Sequence, residues 1–332
     1  MTKKDAKISE FEIINKFLRP LSLGESGAFQ FTDDAAILPQ IGNNEQYVVT
    51  KDIIAINVHA LDTDPPSTLG RKALRVNLSD LAAMGAEPVA FFMGLIINPR
   101  IDEVFLCNFA SGLMIDVKKY NIPLLGGDII CDNSSFSISI TAVGKTTDNL
   151  VLRSNGAQKG ELLWVSGSIG DSALGLLSSK KEITYELTKG NIAHLVNRYQ
   201  IPQPRIALGQ ELLNIASACT DLSDGLLADI KKLCKNSGLG CTINGSQLPL
   251  SNPAKLLLSS DVKFLETIVT GGDDYELAFS SRKENTEKLQ ELAKKLRVPI
   301  SCIGEFTSGP EIRFYNDNGK EMNFLTDGYE HN

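Results

Sequence analysis

A chain of 332 residues with 42% hydrophobic and 22% charged residues, 27 Gly and 13 Pro has the composition of an ordinary globular protein. It is long enough for two domains with sizeable cores, and collagen, coiled coil and wholesale disorder are excluded. Lys and Arg total 33 against 40 Asp and Glu, a formal net charge of -7, so no broad basic surface awaits a phosphate backbone and no nucleic-acid partner is expected.

Taken in chain order, residues 1–17 mix Lys3, Lys4 and Lys7 with Glu10 and Glu12 and hold no apolar core of signal-peptide length. The longest apolar run, 89–97, is far short of the ~20 residues needed to span a bilayer. Cytoplasmic location and no membrane association are therefore expected. Residues 47–54 form a β-branched run that predicts a strand. Leu69, Ala73, Leu74, Leu78 and Leu81 fall at helical spacing after Pro65-Pro66-Ser67 and before Gly85, predicting a helix over 69–84. A strand over 89–97, a helix over 102–120, and a strand over 122–125 that breaks at Gly126-Gly127-Asp128 follow. In 136–142, Phe136, Ile138, Ile140 and Ala142 alternate with Ser137, Ser139 and Thr141, the period of a half-buried strand.

Residues 144–160 are polar and turn-rich, and a domain boundary is placed there, dividing 1–148 from 149–332. Beyond it, strands are predicted at 162–165, 218–222, 275–279, 300–303 and 312–314. Helices are predicted from 171–177, 205–218, 225–234 and 284–296. Each half reads as α+β.

Six cysteines, with no C-x-x-C spacing, and the scattered His59, His194 and His331 encode neither a disulfide framework nor a local zinc site. Gly144-Lys145-Thr146 resembles the end of a P-loop, but it leads into Thr147-Asp148-Asn149 and not into an apolar-periodic helix. Ser166-Gly167-Ser168-Ile169-Gly170 misses the first glycine of a nucleophile elbow.

The informative signal is the placement of aspartates. Asp33-Asp34, Asp52, Asp80, Asp128, Asp221, Asp224 and Asp273-Asp274 lie at or near the ends of apolar elements, most beside Gly, Ser or Thr. Any one of them would serve as a helix cap or turn former. As a set, loop carboxylates beside small residues can converge, and their mutual repulsion then calls for divalent cations carrying polyphosphate. Such a site suits phosphoryl transfer to an acceptor that is itself a phosphate, because a monoester with a second pKa of about 6 is already largely a dianion near neutral pH and needs no general base.

In order and spacing, Asn77-Leu78-Ser79-Asp80-Leu81-Ala82-Ala83-Met84-Gly85-Ala86, Leu125-Gly126-Gly127-Asp128, Gly170-Asp171-Ser172-Ala173, Asp221-Leu222-Ser223-Asp224-Gly225-Leu226 and Gly271-Gly272-Asp273-Asp274-Tyr275-Glu276-Leu277 resemble the thiamine-monophosphate kinase family over nearly the whole chain. Parts of these motifs recur in the wider superfamily of aminoimidazole ribonucleotide synthetase and selenophosphate synthetase. The resemblance implies Mg²⁺-assisted phosphorylation of thiamine monophosphate by ATP. It implies a two-domain α+β fold, with an amino-terminal domain that shares a β-barrel with a second subunit and a carboxy-terminal α/β domain, hence a homodimer.

By motif position, the resemblance makes Asp34, Thr50, Asp52, Asp80, Asp128 and Asp221 metal ligands, with Asp224 on a further ion. Gly126, Gly127, Arg153 and Ser223 would meet ATP, and His59 and Asp273 the thiamine phosphate. No side chain is assigned as a catalytic base. The chain departs from the family in four places. Thr32 precedes Asp33-Asp34 where Gly is usual. Lys51 replaces a Thr ligand, where its ammonium would pair with Asp52 or a phosphate. Asp273 is often Glu. Thr326 occupies the position of a Trp that faces the thiamine rings, leaving Phe324 or Tyr329 to replace it. Against selenophosphate synthetase, no Cys precedes Cys107; against hydrogenase maturation, the chain does not end in Cys. A non-catalytic, cation-binding dimer is the rival of a different class.

Overall fold

The alternation and helical periodicity of the first half build one sheet backed by two helices. The computed structural model describes residues 26–37, 45–133, 136–147, 150–316, 318–326 and 328–329. Its elements are β1 (Ala36–Ile37), β2 (Glu45–Ala55), α1 (Pro66–Ala83), β3 (Glu87–Ile97), α2 (Glu103–Tyr120), β4 (Leu124–Cys131) and β5 (Ser137–Thr147). The strands lie in the order β1-β2-β5-β3-β4, antiparallel except for the parallel pair β3 and β4. Leu74, Leu78, Leu81, Phe91, Ile138 and Ile140 fill the space between sheet and helices.

Local chemistry sets the ends. Pro66 opens α1, and Gly85 follows it at φ 72°. Asp102 caps α2 by accepting from the Phe105 N–H at 2.8 Å. The strand expected to break at Gly126-Gly127 instead runs through both glycines. A Cβ on Gly127 would come within 1.8 Å of the Met93 carbonyl oxygen on the adjacent strand, so glycine there permits the pairing to continue.

The second half comprises β6 (Leu162–Ser166), α3 (Asp171–Ser179), α4 (Lys189–Gln200), α5 (Ile206–Leu212), β7 (Ala216–Asp221), α6 (Leu226–Ser237), β8 (Gly240–Asn244), α7 (Asn252–Ser260), α8 (Phe264–Thr270), β9 (Leu277–Ser281), α9 (Thr286–Leu296), β10 (Ile300–Thr307), β11 (Ile312–Tyr315) and β12 (Glu321–Met322). Its strands are ordered β12-β11-β8-β10-β6-β9-β7, and only β8 and β11 run parallel. The helix expected over 205–218 stops at Leu212, because the following residues pair with β9, Cys219 opposite Phe279. Tertiary pairing overrides the apolar spacing there. The boundary expected between 148 and 149 falls outside the described residues.

Helix α1 sits between the halves, with 14 of its 18 residues buried. A Cβ on Gly209 of α5 would meet the Ala82 carbonyl oxygen at 2.0 Å, so the two helix backbones touch. The buried Arg75 guanidinium donates to both oxygens of buried Asp116 at 2.6 and 2.7 Å and to the Pro202 carbonyl at 2.6 Å, tying α1 to α2 and to the segment before α5. Arg71 adds a longer contact to Asp116 at 3.2 Å. Replacing Arg75 by Met leaves Asp116 with that one weaker partner, and urea unfolding should show a loss of about 3 kcal/mol, the usual cost of breaking a buried pair.

Candidate active site

Each half contributes carboxylates to one cleft beside α1. Strand β2 presents Thr50 and Asp52 on its helix-facing side. Helix α1 supplies Ser79 and Asp80, the end of β7 supplies Thr220 and Asp221, and the turn before α6 supplies Ser223 and Asp224. Asp34 comes from the segment before β1. Hydroxyl donors hold these groups: Thr50 Oγ1 donates to Asp80, Ser79 Oγ to Asp221 at 2.6 Å, and Thr220 Oγ1 to Asp34 at 3.0 Å. Lys232 Nζ, from α6, lies 2.7 Å from Asp34.

Burial, reinforced by Asp34 and Asp224, pushes the Asp52 carboxyl up to about 6 against an opposing hydrogen bond with Asp80. Burial and Asp34 push Asp221 up to about 8. Asp80 is raised well above the carboxylate range by burial and by Asp52, Asp221 and Asp34. Among the described residues, no three His, Cys, Asp or Glu side chains converge closely enough to hold a metal ion alone. The oxygen donors of the cleft are the chemistry that suits Mg²⁺, which takes one or two carboxylates and completes its shell with water and phosphate oxygens.

The remaining expected ligands lie elsewhere. Side chains alternate along β2, so Lys51, next to Asp52 in sequence, occupies the opposite sheet face. Its Nζ donates to Ser139 at 2.7 Å, and no contact with Asp52 forms. Asp128 is exposed on β4 and lines a shallow depression with Gly94, Ile53 and Ser139 on that same face. Gly126, also on β4, has room above it, since a Cβ there would meet only the Phe92 ring at 3.6 Å. Arg153 donates to Asp33 at 2.8 Å and stacks 3.7 Å from the centroid of the Phe29 ring, beside Asp34.

A cavity of ≈ 600 Å³ opens from Asp52 and is lined by His59, Ser223, Asp224, Asp273 and Tyr329 among others. His59 Nδ1 accepts from the Ala55 N–H at 3.2 Å. Thr326 does not line the cavity, and Phe324 packs edge-on against Phe314 with ring centroids 5.2 Å apart. Tyr329 instead supplies the aromatic wall from the carboxy-terminal segment. Its N–H donates to the Asp224 carbonyl at 2.9 Å. The sequence reading missed Lys72, whose Nζ lies 2.7 Å from Asp273, as well as Tyr199 and Lys232. The available signal for Lys72 was a cation on the same helical stripe as Val76 and Asp80.

Residues 32–146 match the family model for the AIR synthase related protein N-terminal domain, and 158–316 match the corresponding C-terminal domain. The thiamine-monophosphate kinase of Buchnera aphidicola subsp. Acyrthosiphon pisum is 34% identical over 98% of this chain and 99% of its own. That of Haemophilus influenzae is 35% identical over 98% of each. The chain belongs to the thiamine-monophosphate kinase family. A solved structure of AaThiL complexed with AMPPCP and TMP superposes with a TM-score of 0.83 at 28% identity, covering 97% of both chains. In kinase-family terms, the motifs quoted from the sequence are the segments that frame this cleft and cavity, apart from the exposed stretch around Asp128.

Raised carboxyl pKa values make the metal-free fold bind more protons than the unfolded chain between the ordinary carboxylate value of 3.8 and about 8. The favourable contribution is complete below that window and is lost as pH rises through it. In chelator, the melting temperature should therefore fall from pH 5 to pH 8, and added Mg²⁺ should raise it more at pH 8 than at pH 6. Scanning fluorimetry across that range tests this, and a flat profile in chelator contradicts it.

Proposed function

We propose that this protein transfers the γ-phosphoryl group of ATP to the phosphate of thiamine monophosphate, forming thiamine diphosphate and ADP. The observation that carries this reading is the continuity of the carboxylate cleft with the cavity holding His59 and Asp273, in a chain of this family. The acceptor is a phosphate monoester, already largely dianionic near neutral pH, and requires no general base. Of the two described histidines, His59 has its Nδ1 on the Ala55 N–H and His194 lies 2.9 Å from Asp171.

Asp34, Asp52, Asp80, Asp221 and Asp224, with Thr50, would hold Mg²⁺, which when bound supplies charge neutralisation between donor and acceptor phosphates. Ser223 and Arg153 serve the ATP end. His59 and Asp273 serve the acceptor end, with Tyr329 as the ring wall in place of Thr326. Domain 1–148 brings most of the metal ligands, and 149–332 closes the site.

Asp128, Gly126 and Gly127 are assigned to the same reaction through a homodimer. Strand β4 is an open edge of the first sheet and exposes Leu124, Leu125, Ile129 and Ile130. Such an apolar edge calls for a partner, and a second copy laid against this sheet to form a shared barrel would turn Asp128 and the glycines toward its neighbour's nucleotide. Lys51, on the same face, would act there on phosphate. Among the described residues no helix is long and apolar enough to cross a membrane. A cytoplasmic enzyme, with ATP and thiamine monophosphate as its partners and no nucleic acid, is the reading proposed.

Chromatographic assay of the purified protein with Mg-ATP should show thiamine diphosphate and ADP from thiamine monophosphate and none from thiamine; ATP binding without turnover would favour the non-catalytic dimer and overturn the reading. Asp128→Asn and Asp221→Asn should each lower turnover by orders of magnitude with the fold retained. Co-expressed, the two variants should regain activity, because one mixed site carries both wild-type aspartates; silence in that mixture would place Asp128 in its own chain's site or outside catalysis. Arg153→Ala should raise the KM for ATP more than that for thiamine monophosphate.

A further inference from the structure

We propose that Lys72 is a positioning residue for the acceptor end of the cavity, acting through Asp273; this deepens the kinase reading and rests on it. Lys72 lies on α1 and is 2% exposed. Its Nζ donates to Asp273 Oδ2 at 2.7 Å and to the His59 carbonyl at 2.8 Å, and sits 4.1 Å from the centroid of the Tyr199 ring. One ammonium thereby ties together the loop after β2, the turn before β9, and helix α4.

The pair is not core filling. A buried ion pair is weak evidence for stability, since an apolar residue of similar volume often does as well. Here the carboxylate faces the cavity and retains 27% side-chain exposure. Its geometry is also held from other sides. Asp273 takes the left-handed conformation at φ 72°, with its N–H on the Ser223 carbonyl at 2.8 Å, and Tyr275 follows at φ 51° with its hydroxyl 3.2 Å from Asp273 Oδ1. Backbone in this region is uncommon for residues other than glycine and persists where the surroundings over-determine it. Lys72 and Tyr275 each hold one carboxylate oxygen, which fixes Asp273 as an oriented hydrogen-bond acceptor.

Charge points the same way. Asp273 shares its cavity with Asp52 and Asp224, and the Lys72 cation offsets one of these three carboxylates. Helix α1 carries Lys72 and Asp80 eight residues apart, a rise of about 12 Å along one rigid, buried rod. The distance between the acceptor-holding and phosphate-holding ends of the site is set by that rod. Lys72 never needs to touch the reacting atoms to affect how well the acceptor is placed.

Steady-state kinetics with both substrates varied tests the assignment. Lys72→Met should raise the KM for thiamine monophosphate at least about tenfold, the KM for ATP changing less than about twofold, because only acceptor placement is lost. Lys72→Arg, which restores a cation, should recover most of that change. In an Asp273→Asn background, Lys72→Met should add less than about twofold, since the partner through which it acts is gone. The cycle is run in parallel with Lys72→Gln, which keeps a polar head in the buried position and is the variant judged if the Met variant does not fold. An unchanged KM for thiamine monophosphate, equal rises in both KM values, or additive effects in the double variant would overturn the proposal while leaving the kinase reading standing. Absence of thiamine diphosphate from the wild-type reaction would overturn the reading itself, and this inference with it.

Discussion

Repulsion among Asp52, Asp80 and Asp221 is the constraint that the surrounding structure answers. Three carboxyl groups desolvated in one cleft disfavour their own ionisation, as the upward displacement of all three shows. Holding them together needs donors aimed at their oxygens and supports that do not yield. The Thr50 hydroxyl donates to Asp80 and the Ser79 hydroxyl to Asp221, while Thr220 holds the adjoining Asp34. The supports are β2, the buried helix α1 and the end of β7, with α1 itself held by its backbone contact with α5 and by the Arg75 and Asp116 pair to α2. Lys232 stands at the rim, where its ammonium balances Asp34 without entering the centre of the cleft.

Much of this was legible where one period dominated. The alternation in 136–142 became the first half of β5, and the leucine spacing in 69–84 became α1, because in both segments the buried face is uniform along its length. The reading failed where one residue served two demands. Gly126-Gly127 reads as a turn, yet Gly127 is glycine because a neighbouring carbonyl lies where its side chain would be. Apolar residues over 205–218 fit a helix, but the last of them are claimed by β9. Helix α4, with Gly190 and Asn191 in its first turn and no strong propensity, forms because Leu195 and Tyr199 have a core to enter.

The candidate site shows the same division. Aspartates beside small residues stood out, and most of them meet in the cleft. Adjacency in sequence was misleading for Lys51, because one step along a strand moves a side chain through the sheet. Lys72 and Lys232 escaped notice for a different reason. Helical lysines usually face solvent, and only the packing of other elements over α1 and α6 reveals that these two point at carboxylates.

Strand β4 carries one more consequence. Along Leu124–Cys131 the single charged residue is Asp128, set in an otherwise apolar and glycine-containing edge. Exposed apolar edge strands with no proline are templates for uncontrolled strand addition, and natural sheets blunt them with charges among other devices. Asp128 supplies that charge on β4, where it would repel the same residue of another copy laid along the edge. On the proposed reading, the carboxylate that guards this edge is also the one the reaction uses, so removing its charge would be felt in solubility as well as in turnover.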